Sequence, residues 1–122
     1  MLQTSDTSAN NKYDLEERCL KFSKRVREYV NNLPKTITNI EYGKQLTRSS
    51  GSIGANYIEA NEAMSRKDFV MRVKISKKEA KESIYWLELS QPMQKYEREK
   101  LELIQEATEL MKILGAILEN SK

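Results

Sequence analysis

Apolar residues in this chain recur at alternating steps of three and four, the spacing that lines up side chains on one face of a helix and not of a strand. Leu15, Cys19, Phe22, Val26, Tyr29, Val30 and Leu33 form a first stripe, with charges on the other side. Tyr42, Leu46, Ile53, Tyr57 and Ala60 form a second, and Phe69, Val73, Ser76, Ala80, Ile84 and Leu87 a third. In the last quarter of the chain Leu103, Ile104, Ala107, Leu110, Met111, Leu114, Ile117 and Leu118 fill a broader arc, which needs neighbours on more than one side.

Punctuation separates the stripes. Asp14 with Glu17, Thr38 with Glu41, and Ser65 with Asp68 each read as a helix start, a capping residue followed three positions later by an acid. Pro34 and Pro92, which lack an amide hydrogen, read as stops. The spacing therefore predicts helices over about 14–33, 38–63, 65–91 and 95–120. The connections are short enough to force consecutive helices antiparallel, so the expected fold is an all-α, up-down-up-down four-helix bundle. At 122 residues the chain fits one domain, expected over 13–122, with residues 1–12 as a mobile tail. No run approaches a membrane-spanning length and the amino terminus has no apolar signal core, so the expected location is cytoplasmic.

Chemistry is harder to find. The sequence contains no histidine, which removes the usual general base of serine and cysteine hydrolases and the usual ligands of helical di-iron sites. Its one cysteine, Cys19, has no second sulfur for a disulfide or a zinc site and fits the core as a small apolar group. Glu59 with Glu62, and Glu79 with Glu82, are carboxylate pairs at helical spacing; they suit either a solvated face or, through oxygen ligands, a divalent cation. Gly51 and Gly54 match neither phosphate-loop spacing and lie inside a helical pattern, so no nucleotide or other cofactor is expected. On the helical wheel Gly43, Ser50, Gly54 and Asn61 align, which points to close approach of another helix. Asn56 lies near the inner edge of the same helix and is expected to hydrogen-bond across the core. The reading expects no catalytic residue, no metal site and no small-molecule substrate.

The third helix carries the clearest charge asymmetry. Arg66, Lys67, Arg72, Lys74, Lys77, Lys78 and Lys81 stand against Asp68, Glu79, Glu82 and Glu88, although the net charge of the whole chain is only +3. Lys67, Lys74, Lys78 and Lys81 share a narrow arc opposite the apolar stripe, with Lys77 beside them, an arrangement able to track phosphates without reading sequence. Paired with neighbouring glutamates, the same lysines would be an ordinary solvated face. Ile75, Tyr85, Trp86 and Leu89 also lie away from the inner stripe, and apolar groups so placed suggest self-association with Trp86 as the anchor.

Two stretches go beyond periodicity. Gln45 to Ala63, QLTRSSGSIGANYIEANEA, and the third helix, with Lys67-Asp68-Phe69, then Lys78 to Ser83 (KEAKES) and Tyr85 to Leu89 (YWLEL), resemble the bacterial four-helix bundle family of 23S rRNA intervening-sequence proteins. Similarity extends over nearly the whole chain from Tyr13 onward. Arg48, Ser49, Ile53, Asn56 and Glu59 match the second-helix motif, and Glu79, Ala80, Tyr85, Trp86 and Leu87 the third. The resemblance implies a ring-like homo-oligomer, often a pentamer in relatives, among them the accessory variability protein of diversity-generating retroelements, a nucleic-acid-binding partner. The expected function is a non-enzymatic scaffold that binds structured RNA or an RNA-binding protein through Lys67, Lys74, Lys77, Lys78 and Lys81. The alternative is a protein-protein adaptor with no nucleic-acid role.

Overall fold

The computed structural model describes residues 7–122, with side chains from Asp14 onward. Four α-helices follow one another: α1 (Thr7–Asn31), α2 (Ile37–Asn61), α3 (Arg66–Leu89) and α4 (Glu97–Asn120), the last entered through a 3-10 turn at Gln94–Tyr96. Cross-helix contacts fix their directions. Arg18 meets Glu106 and Arg25 meets Glu99, so positions rise along α1 as they fall along α4. Ser49 pairs with Ser83 and Asn56 with Arg72, which makes α2 and α3 antiparallel. Ser23 bonds Ser50, and Asn61 bonds Glu16, which does the same for α1 and α2. The up-down-up-down bundle expected from the stripes is the fold observed.

All four stripes turn inward. Leu15, Cys19, Phe22, Val26, Tyr29 and Leu33 of α1 and its exit pack against Leu46, Ile53 and Tyr57, against Val73, Ala80 and Leu87, and against Leu103, Ala107, Leu110 and Leu114. Burial pushes the Cys19 thiol up to about 12, in keeping with a small apolar filler. Where the helices touch, small residues decide how closely. A β-carbon added at Gly54 would stand 3.1 Å from Cys19 Cβ, and one at Gly43 would stand 3.1 Å from Val30 Cγ1, so α1 lies directly over this side of α2. Ser50 and Asn61, aligned with those glycines in sequence, bond to α1 as well. Between α2 and α3 the small groups are serines: Ser49 and Ser83 share a hydrogen bond of 2.9 Å, and Ser76 Oγ donates to the Ile53 carbonyl at 2.7 Å.

Three expectations about ends and edges are corrected. Helix α1 begins at Thr7 and not near Asp14, so the Asp14 and Glu17 signal lies inside it; of the tail expected over 1–12, residues 7–12 are helical and residues 1–6 lie outside the described residues. A polar first turn has no apolar stripe to announce it, and a helix already paid for by packing can extend at low cost. Helix α2 is capped by Thr36 and not by Thr38: the Thr36 backbone is extended and its Oγ1 accepts from the Asn39 amide at 3.1 Å. Asn56 does not cross the core. It donates to the Ser52 carbonyl within its own helix and accepts from Arg72 at 3.3 Å on the rim. At α3 the expected cap holds, with Ser65 Oγ accepting from the Asp68 amide at 3.0 Å.

Candidate nucleic-acid interface

Helix α3 packs against α2 on one side and α4 on the other, which leaves one long strip facing outward. Its lysines occupy that strip. Lys67, Lys74, Lys77, Lys78 and Lys81 are all exposed. With a helical advance of about 100° per residue, Lys67, Lys74, Lys78 and Lys81 fall within about 60° of arc, while Lys77 leans toward α4. There its Nζ comes within 3.7 Å of the place a β-carbon on Gly115 would take, so the missing side chain leaves room for the lysine stem.

What surrounds these lysines determines how much of their charge remains. Among the described residues, none of the five has a carboxylate within 4.0 Å, whereas the arginines are engaged. Arg18 forms a bidentate pair with Glu106 at 2.7 and 2.9 Å and reaches Glu109 as well; Arg25 does the same with Glu99 and Glu102. These pairs raise both guanidinium pKa values, and the Gln105 amide, with Arg18 beside it, holds the Glu109 carboxyl below its usual range. On α3 itself the acids face arginines. Arg72 lies 4.0 Å from Asp68, and Arg48 of α2 reaches across to Glu79 at 4.0 Å and Glu82 at 3.6 Å. Three of the four acids that the sequence sets against the lysines are thus turned toward cations on their α2 side.

The carboxylate pairs divide accordingly. Glu59 and Glu62 are both exposed on α2. Glu79 is buried at 7% exposure, with Oε1 lacking a hydrogen-bond partner, and serves the α2/α3 seam. Among the described residues no group of three or more acidic or cysteine side chains is placed to hold a metal ion.

The four residues expected to form an apolar surface patch differ in exposure. Tyr85 is 57% exposed, but Ile75, Trp86 and Leu89 are half-buried. Trp86 leans over the top of the seam onto Tyr42 of α2, the ring centroids 6.1 Å apart, and Tyr85 meets Trp86 edge-on at 5.1 Å. Tyr42, expected in the inward stripe of α2, is accordingly half-buried at the rim.

The seam is also where the quoted sequence motifs meet. Arg48, Ser49, Ile53 and Asn56 of α2 stand opposite Glu79, Ser83, Ser76 and Arg72 of α3. A family model described as 23S rRNA-intervening sequence protein matches residues 11–116. The chain belongs to the 23S rRNA-intervening sequence protein family. A comparison with curated proteins finds no match. Among solved structures the chain is similar to a protein of unknown function from the S23 ribosomal protein family of Bacteroides thetaiotaomicron, with 31% identity over 88% of this chain and 97% of that one, and a TM-score of 0.73. The fold of an intervening-sequence protein is thereby established from two directions. No helix among the described residues of this family member is long and apolar enough to cross a membrane.

Two features of the site have no signal in the sequence. Arg48 stands there only as part of a motif, and its service to Glu79 and Glu82 depends on the facing of α2 and α3. The engagement of the acids, which frees the lysines, depends on the same pairing.

Proposed function

We propose that this protein is a cytoplasmic, non-enzymatic, oligomeric scaffold that binds structured RNA, or a ribonucleoprotein containing it, through the outward strip of α3. The observation that carries the reading is the contrast in charge: five exposed lysines on one helix without carboxylate partners among the described residues, beside Arg18, Arg25, Arg48 and Arg72, which have them. Unpaired cations in a row attract a polyanion by counterion release, with no need for base-specific contacts. The oligomer, a ring in this reading and a pentamer by analogy with relatives, is held through the half-buried Ile75, Trp86 and Leu89, which lie between the lysine strip and the α2/α3 seam.

A labelled RNA hairpin titrated with protein in low salt tests the RNA reading. The wild type should retain the RNA, and the quadruple variant Lys67→Gln, Lys74→Gln, Lys78→Gln, Lys81→Gln should release it. Equal retention by both proteins contradicts the assignment of the strip. Capture of a protein partner that survives nuclease treatment, with no RNA bound, would favour the adaptor instead.

A further inference from the structure

Tyr85 lies on the lysine line and not beside it. By helical advance it falls at the middle of the arc shared by Lys67, Lys74, Lys78 and Lys81, about 27 Å along α3 from Lys67 and one turn beyond Lys81. Its ring is 57% exposed, and it is not loose. Trp86 packs against it in a T-shaped pair at 5.1 Å with an interplanar angle of 72°, and Trp86 is itself backed by Tyr42. An aromatic ring braced by one neighbour, more than half exposed, and with cations spaced along the approach has the two parts that grip single-stranded nucleic acid: charge for the backbone and a π face for a base.

We propose that Tyr85 is a stacking platform for an unpaired base, so that the preferred ligand of the α3 strip is RNA with a single-stranded segment, a loop or an overhang, and not a continuous duplex. This rests on the reading of the strip as a nucleic-acid face. Paired bases keep their faces in the duplex stack and cannot lie on a side chain, whereas an unpaired base can. Ile75, Trp86 and Leu89, set to one side at about 40–100° from the Tyr85 direction, remain available for self-association.

The test compares two labelled RNAs, a blunt duplex and a single strand of the same length, against the wild type, Tyr85→Leu and Tyr85→Phe. Tyr85→Leu should weaken single-strand binding by about 5- to 150-fold and leave duplex binding within about twofold, while Tyr85→Phe binds as the wild type does. Trp86, the one tryptophan of the chain, touches the platform, so its emission should change when the single strand binds and not when the duplex binds. Equal affinity of Tyr85→Leu and wild type for the single strand, or equal losses on both RNAs, overturns the proposal. So does a fall in sedimentation mass of Tyr85→Leu without RNA, which would assign the ring to a subunit contact. If the wild type binds neither RNA, the α3 reading itself has failed, an outcome distinct from insensitivity to Tyr85.

Discussion

Asn39 and Gln91 exchange a reciprocal pair of hydrogen bonds across the end of the bundle: the Gln91 amide donates to Asn39 Oδ1 at 2.9 Å, and Asn39 Nδ2 donates back to the Gln91 carbonyl at 3.0 Å. The same Nδ2 group donates to the Pro34 carbonyl at 3.0 Å. One buried side chain therefore ties the α1–α2 connection to the exit of α3, and with Tyr29 bonded to Ser90 at 2.6 Å it closes this end of the fold.

Removing that amide takes away three hydrogen bonds, to the backbone of half-buried Pro34 and exposed Gln91. Asn39→Ala should cost about 2–4 kcal/mol, at about 0.5–1.5 kcal/mol for each bond lost. In urea the midpoint should fall with the m-value unchanged. A midpoint equal to that of the wild type would show that the two connections are held by something else.

The two glycines in the middle of α2 should respond oppositely to alanine. Gly51 is exposed with nothing within 4 Å of an added β-carbon, so Gly51→Ala should gain about 0.5–1 kcal/mol from helix propensity. Gly54 has Cys19 Cβ at 3.1 Å from that position, and Gly54→Ala should lower the thermal midpoint because α1 must move. Thermal unfolding of both variants by circular dichroism checks the pair, and destabilisation by Gly51→Ala would mean that something packs on that open face.

Cys19 gives a pH dependence with a definite sign. Burial raises its thiol from an ordinary value of 9.0 to about 12, so the folded state holds the proton where the unfolded chain releases it. Its contribution is intact below pH 9 and is lost as the pH rises from 9 toward 12, at up to about 1.4 kcal/mol per pH unit. The buried Tyr29 and Tyr57 hydroxyls are shifted the same way. The measurement is therefore the difference between wild type and Cys19→Ala: the wild type should lose more stability between pH 8 and pH 10.5, and parallel curves would contradict the burial of the thiol.

Much of the bundle was legible because its signal is local. Leu46, Ile53, Val73, Leu87, Leu103 and Leu110 reach the core from positions set by helical pitch alone, and Ser65 caps α3 from a position marked by the acid three residues on. Capping at Thr36 was less legible, because two threonines two positions apart offer the same chemistry and the choice depends on the buried Asn39 at the third position of the helix. Trp86 marks the limit of periodicity: it lies at the border of the inner arc, and only the long side chain, with Tyr42 opposite, decides that it leans inward while its neighbour Tyr85 stays out. The lysines were found as a stripe, but whether they are neutralised depends on Arg48 and Arg72, residues whose facing is a property of the packed seam.

The lysine charge of the α3 strip has no carboxylate partners among the described residues, and the salt dependence of RNA binding reads that charge directly. With about four phosphates contacted, log K against log salt should fall with a slope of about −3 to −4 for the wild type and flatten toward zero when Lys67, Lys74, Lys78 and Lys81 become glutamine. A wild-type slope near zero, or the same steep slope in the variant, would contradict the RNA reading of the strip.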